Sequence, residues 1–207
     1  MNIQIKNKIF DLTNKDEFWQ YVLLLDEKNL SKHIYLAAEG NWLDIVSYML
    51  QNSEPDEYDL LSSLDEALIN ENEEIIKLLF EHPNFNPSCG KNNIVLCAAK
   101  ERNFNLLEKI IEHPKFIDNP LDHHKETKHP HKRATAECMK KDKFDLLEKF
   151  LIKCPNTDYS FQDNYLLKTA LQKGQEKIVT LLLENQGVKD SLLKEENFEI
   201  LNERKKR

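Results

Sequence analysis

The chain has 207 residues, 40% of them hydrophobic and 31% charged, with a formal net charge of −7. That balance fits a folded, soluble chain rather than a disordered one, and the acidic total gives nucleic acid no general attraction. Its 4 glycines (Gly40, Gly90, Gly174 and Gly187) are isolated, which excludes a Gly-rich phosphate loop, and no apolar run approaches the ~18 residues that span a bilayer.

Met1 to Lys8 alternates apolar and polar residues and lacks the continuous apolar centre of a signal peptide. Thr13 to Asp16 has the form of a capping box with Asp in the last place. It predicts a helix through Phe18, Trp19, Val22 and Leu23, ending near Asn29. Residues 1–30 are therefore expected to form an N-terminal helical cap.

From there the chain repeats itself. Apolar residues at offsets 0, 1, 4 and 5 make one stripe of a helix. The stripe recurs as Ile45, Val46, Met49 and Leu50; Ile75, Ile76, Leu79 and Phe80; Leu106, Leu107, Ile110 and Ile111; Leu146, Leu147, Phe150 and Leu151; and Ile178, Val179, Leu182 and Leu183. Its first members stand at 45, 75, 106, 146 and 178, giving steps of 30, 31, 40 and 32. A near-constant step predicts stacked helix-turn-helix units. Eight residues before each stripe sits a small residue (Ala37, Ala67, Ala98, Cys138, Ala170), and three before that an aliphatic or β-branched one (Ile34, Leu64, Val95, Thr135, Leu167). Small residues there let adjacent first helices approach, and the larger ones fill the layer between two rows of helices.

These features resemble the ankyrin repeat, a β-turn finger followed by two antiparallel helices. The resemblance is carried best by Ala170 to Asn185, then by Leu36 to Val46, and extends over about 31–188. It implies an all-α, ankyrin-like solenoid with units 31–61, 62–92, 93–132, 133–163 and 164–188, followed by a capping helix and basic tail over 189–207. The family's Thr-Pro-Leu-His is absent from all five units. Its interhelical glycine survives only as Gly174, with Asn41, Glu71, Arg102 and Asp142 in the equivalent places. A left-handed turn is tolerable for Asn or Asp but costs Glu or Arg about 1 kcal/mol, so those turns are expected to be strained or built differently.

His82-Pro83, His113-Pro114 and Cys154-Pro155 terminate second helices, because the residue before Pro leaves the α region. The histidines are read as helix C-terminal residues. Fingers are expected over about 53–62, 84–93, 115–132 and 156–164, the third lengthened to give the step of 40. The four cysteines, Cys89, Cys97, Cys138 and Cys154, form no C-x-x-C pair and read as reduced thiols, with Cys97 and Cys138 buried and inert. The tail from Ser191 reads as a last helix covering the final unit with Leu192, Leu193, Phe198 and Leu201.

The long finger holds His123, His124, His129 and His131, four histidines within nine residues. Imidazoles suit zinc or nickel, but nothing in the pattern fixes their spacing, and Pro130 interrupts it. Asp122-His123-His124 matches an Asp-His-His phosphoesterase motif by coincidence, since the strands that motif needs are missing. Lys125, Lys128, Lys132, Arg133, Lys140, Lys141 and Lys143 make this region basic, suited to an acidic surface or a phosphate.

The expected function is non-catalytic binding of another protein through the concave surface of fingers and first helices that the resemblance implies, with no cofactor, metal, nucleic acid or membrane. The expected contact residues are Tyr58, Phe85, Lys91, Phe116, His123, His124, Tyr159 and Phe161. A cytoplasmic location is expected. The composition also resembles ankyrin-repeat effectors of intracellular bacteria, with Glu195, Glu196, Glu199 and Glu203 in the place of a glutamate-rich secretion signal, which would put the chain in a host cytosol. The alternative is a metal-binding or enzymatic role centred on the insertion 119–132.

Overall fold

The structure, a computed structural model, describes residues 2–5, 8–118 and 129–194. Among these are thirteen helices and a single two-stranded hairpin, so helix is the only regular structure among the described residues after the first dozen. None of the described helices is long and apolar enough to cross a membrane. Contacts divide the chain into two units, Met1–Gly90 and Lys91–Arg207.

The first unit opens with β1 (Asn2–Ile5) and β2 (Lys8–Asp11), paired antiparallel with Ile3 opposite Phe10. The expected helical cap is thus preceded by a hairpin, which uses the alternation of the first residues as a strand pattern. Phe10 is fully buried, its ring 5.9 Å from that of Tyr21. α1 (Lys15–Val22) is capped by Asn14, whose side chain accepts the N–H groups of Asp16 and Glu17, while Thr13 bonds back to Asp11. The helix stops at Val22, and α2 (Glu27–Ser31) starts afresh because Asp26 takes the Asn29 N–H. The single helix expected as far as Asn29 is therefore two.

The rest of the first unit is α3 (Ile34–Glu39), α4 (Leu43–Gln51), α5 (Glu57–Ile69) and α6 (Glu73–Phe80). Here α3 packs on α5 and α4 on α6, so first helices meet first helices and second meet second. The chain passes into the second unit within α7 (Cys89–Lys100), followed by α8 (Phe104–Glu112), α9 (Pro130–Lys140), α10 (Phe144–Lys153), α11 (Phe161–Gln172), α12 (Glu176–Glu184) and α13 (Gln186–Leu192). The same sorting holds inside it: α9 packs on α11, α8 on α10 and α10 on α12. All ten residues at the small and adjoining aliphatic positions are buried. So are seventeen of the twenty stripe residues, with Leu50, Phe80 and Leu183 half-buried.

One turn is built five times among the described residues. Asn41, Glu71, Arg102, Asp142 and Gly174 all take left-handed backbone, with φ of 60, 53, 55, 55 and 67°. The next residue in each (Trp42, Asn72, Asn103, Lys143, Gln175) donates its N–H five residues back, to Ala37, Ala67, Ala98, Cys138 and Ala170. The left-handed residue itself donates three residues back. This is the Schellman pattern, which satisfies carbonyls orphaned at the end of the first helix. Glu71 and Arg102 are therefore strained rather than arranged differently. Elsewhere Gly40 is needed for space: the ring of Trp42 comes within 2.6 Å of where its Cβ would stand.

The fingers are shorter than expected. Asp56 forms a capping box with Asp59 and starts α5 at Glu57, α7 starts at Cys89, and α11 at Phe161. Tyr58 consequently lies in a first helical turn rather than at a loop tip, and Lys91 and Phe161 stand at the openings of α7 and α11. The opening of α11 is left-handed at Gln162, Asp163 and Asn164 before the regular helix resumes. At the third connection α9 begins at Pro130, in the N1 place where a missing N–H costs nothing. His82 and His113 each accept a backbone N–H two residues on, from Asn84 and Lys115, so both imidazoles hold the turn that ends their helix. The last described helix runs from Gln186 to Leu192, earlier than the helix expected from Ser191. It buries Val188 and Leu192 but leaves Leu193 73% exposed.

Candidate functional site

The expected contact residues separate by burial. Tyr58, in the first turn of α5, is 68% exposed. Phe85 and Tyr159 are each 1% exposed, which corrects their expected display to a partner. Phe85 packs its ring 4.9 Å from that of Phe80, and Tyr159 donates its hydroxyl to the carbonyls of Cys154 (3.0 Å) and Phe150 (3.3 Å). A ring that must bury a short connection against its helix pair has nothing left to offer a ligand. Phe116 and Phe161 are half-buried, Phe116 beside His131 and Phe161 beneath the Lys132 ammonium at 5.9 Å. Lys91 lies in the first turn of α7. His123 and His124, together with Lys125, Lys128, the acidic residues Glu195, Glu196, Glu199 and Glu203, and the basic 204–207 run, lie outside the described residues.

Charge is divided between the units. Residues 1–90 carry 6 Lys and no Arg against 17 Asp and Glu, a net −11, while 91–207 carry 23 Lys and Arg against 19, a net +4. In the first unit Asp26, Glu27, Glu54, Asp56 and Asp59, with Lys28 and Lys32, line an open cleft, and Tyr58 stands between Asp56 and Asp59 along the chain. Asp26 and Asp56 are helix caps and Asp59 completes the capping box, so local structure accounts for three of these carboxylates. Glu27 and Glu54 have no such task in capping.

In the second unit several of the described basic residues are paired with carboxylates. Glu137 on α9 is 1% exposed and faces Lys140 at 3.0 Å, Arg133 at 3.4 Å and Arg102 at 3.5 Å. Burial opposes its charge, but the Lys140 hydrogen bond and the three cations outweigh burial and hold the carboxyl below its usual range. Lys149 joins α10 to Glu108 and Glu112 of α8, and Lys177 on α12 reaches Glu148 of α10. These ties run between neighbouring second helices.

The sequence pattern did not reveal a polar cluster inside this unit. Asp118, His131 and Cys154 each bring a possible ligand atom within 4.8 Å of the other two. Asp118 precedes the long connection, His131 sits in the first turn of α9, and Cys154 closes α10. His131 Nδ1 lies 3.4 Å from Asp118 Oδ1 and 3.0 Å from Thr157 Oγ1. The imidazole is 1% exposed and the carboxylate side chain 9%. Both His131 Nε2 and Asp118 Oδ1 are buried without a hydrogen-bond partner. Burial, then the charge of Asp118, pushes the Cys154 thiol far above its ordinary value. The other thiols differ: burial raises Cys138 to about 12, whereas Cys97 is half-exposed rather than buried, with Asn93 Nδ2 3.6 Å from its sulfur. His131 was visible as one of four histidines. Its nearness to Cys154 is a tertiary fact, because the two stand on consecutive helices and meet only when α9 and α10 pack.

Compared with known proteins, the chain matches no family model, no curated protein and no solved structure.

Proposed function

We propose that the chain is a non-catalytic, ankyrin-like interaction module whose acidic first unit binds a basic segment of another protein. The observation that carries this reading is the recurrence of one turn, with one left-handed residue and the same pair of backbone bonds, after α3, α5, α7, α9 and α11. A shared turn fixes a shared angle between paired helices, and that is what stacking of like units requires. Such a scaffold offers a preformed surface that loses little entropy on docking. Tyr58 supplies an exposed aromatic, and Glu27 and Glu54 supply charge that helix capping does not use. A carboxylate-lined cleft steers and orients a cationic segment more than it adds raw affinity.

The test is a photo-crosslinking residue in place of Tyr58, with the same probe at exposed Ile152 as a control. Position 58 is expected to capture a discrete partner, with capture weakened by added salt and by Glu27→Lys with Glu54→Lys. Equal capture at both positions, or capture indifferent to those charge reversals, would remove the acidic-cleft assignment.

A further inference from the structure

We infer that Asp118, His131 and Cys154 form a binding site for a divalent zinc-like ion that ties together the two ends of the long third connection. The donor set is one carboxylate, one imidazole and one thiol, each of which zinc accepts, leaving a fourth position for water. Mixed donors of this kind suit a borderline cation better than calcium or magnesium, which take oxygen alone.

The arrangement is hard to explain as plain packing. A buried carboxylate oxygen without a hydrogen-bond donor, and an imidazole nitrogen without a partner, each cost free energy that an apolar core would not incur. A cation held among them makes the Asp118 carboxylate and a Cys154 thiolate cooperate in holding one charge. On binding, the divalent ion forms a bond to sulfur as the S–H bond breaks, and the proton passes to buffer.

The surroundings fit support of such a site. The Asn156 N–H lies 3.4 Å from the second oxygen of Asp118, Thr157 Oγ1 meets the imidazole, and the rings of Phe116 and Phe150 stand 5.9 and 6.3 Å from that of His131. Groups that orient ligands and an apolar wall that limits water both tune metal sites. Tetrahedral zinc holds its ligand atoms roughly 3.3–3.8 Å apart. The observed limit of 4.8 Å therefore calls for a side-chain contraction of about 1 Å. Asp118 and His131 stand on either side of the long connection, so an ion between them removes closure entropy from its ends.

The experiment uses the full chain purified without an affinity tag, stripped with a chelator, and titrated with Zn2+ and then Co2+. One equivalent of zinc is expected to bind and raise the unfolding temperature, and cobalt is expected to give a thiolate-to-metal band in the near ultraviolet. Cys154→Ser should abolish that band and weaken zinc at least tenfold. Asp118→Asn should weaken zinc in the same direction, and it decides the matter if the Cys154 variant does not fold. His123→Ala with His124→Ala should leave both signals intact. The inference is overturned by the absence of a stoichiometric equivalent, by a cobalt band that survives Cys154→Ser, by unchanged zinc affinity in Asp118→Asn, or by loss of binding in the His123/His124 variant. None of these outcomes depends on a protein partner, so they are separate from the fate of the interaction reading.

Discussion

At the scale of single residues, the recurring turn is where local preference and tertiary demand disagree. Glu71 holds a left-handed φ of 53° with its side chain in solvent. The Cβ clash in that region costs about 1–2 kcal/mol for an ordinary residue. Glycine lacks the clash but loses more backbone entropy on folding, so only part of this is recoverable. Glu71→Gly is therefore expected to stabilise the protein by about 0.5–1 kcal/mol, read as a higher urea midpoint with an unchanged slope. Glu71→Val, adding a β-branched residue at positive φ, should shift the midpoint the other way. Arg102 shares the strain but also reaches Glu137, so it makes a poorer test. The position of these turns was legible in the sequence because apolar spacing sets helix phase. Their handedness at Glu71 and Arg102 was not, because neither residue prefers it, and the packing of the flanking helices imposes it.

At the scale of elements, stripes of four apolar residues placed the second helices correctly, since burial of one face is what both pattern and packing report. Loops and ends were read less well. Capping boxes such as Asp56 with Asp59 begin helices inside stretches that composition marks as fingers. The buried aromatics Phe85 and Tyr159 looked like display residues because a short connection between helices carries the same residue types whether it faces in or out. The hairpin β1–β2 went unread because four-residue strands give too short a period-2 signal to stand alone. Its contribution rests on Phe10, fully buried against Tyr21, and on the packing of β2 against α1. Truncating a buried Phe costs about 3–5 kcal/mol. Phe10→Ala is thus expected to lower stability by about that amount and to speed hydrogen exchange first in α1. A loss within about 0.5 kcal/mol of zero would mean that the hairpin is an ornament on the unit rather than part of its core.

At the scale of the whole molecule, the division of charge has consequences that the net −7 conceals. The first unit holds −11 over its 90 residues, and its carboxylates repel one another at short range. Glu66 records this: burial, then Glu39 and Asp65, raises its carboxyl above the ordinary 4.5. A carboxyl raised in the folded state contributes stability fully below its unfolded value, and that contribution fades as pH rises through the folded one. At neutral pH Glu66 therefore works against folding, the opposite of Glu137, whose lowered carboxyl supports folding until acid protonates it. Glu66→Gln should raise stability at pH 7 by about 0.5 kcal/mol, in line with the size of like-charge pairs on helices, and the gain should shrink as pH approaches 4.5. Salt provides the matching test, because the screening length falls from about 30 Å at 0.01 M to about 8 Å at 0.15 M. Both tryptophans, Trp19 and Trp42, belong to the first unit, so their fluorescence reports its unfolding alone. Adding salt is expected to raise the fluorescence-detected midpoint, and to raise it less in Glu66→Gln. A midpoint that falls with salt would show that ion pairs such as Lys15 with Asp44 outweigh the repulsion. The acidic surface would then be held together by its few cations rather than strained by its many anions, and a basic partner would have to displace them to bind.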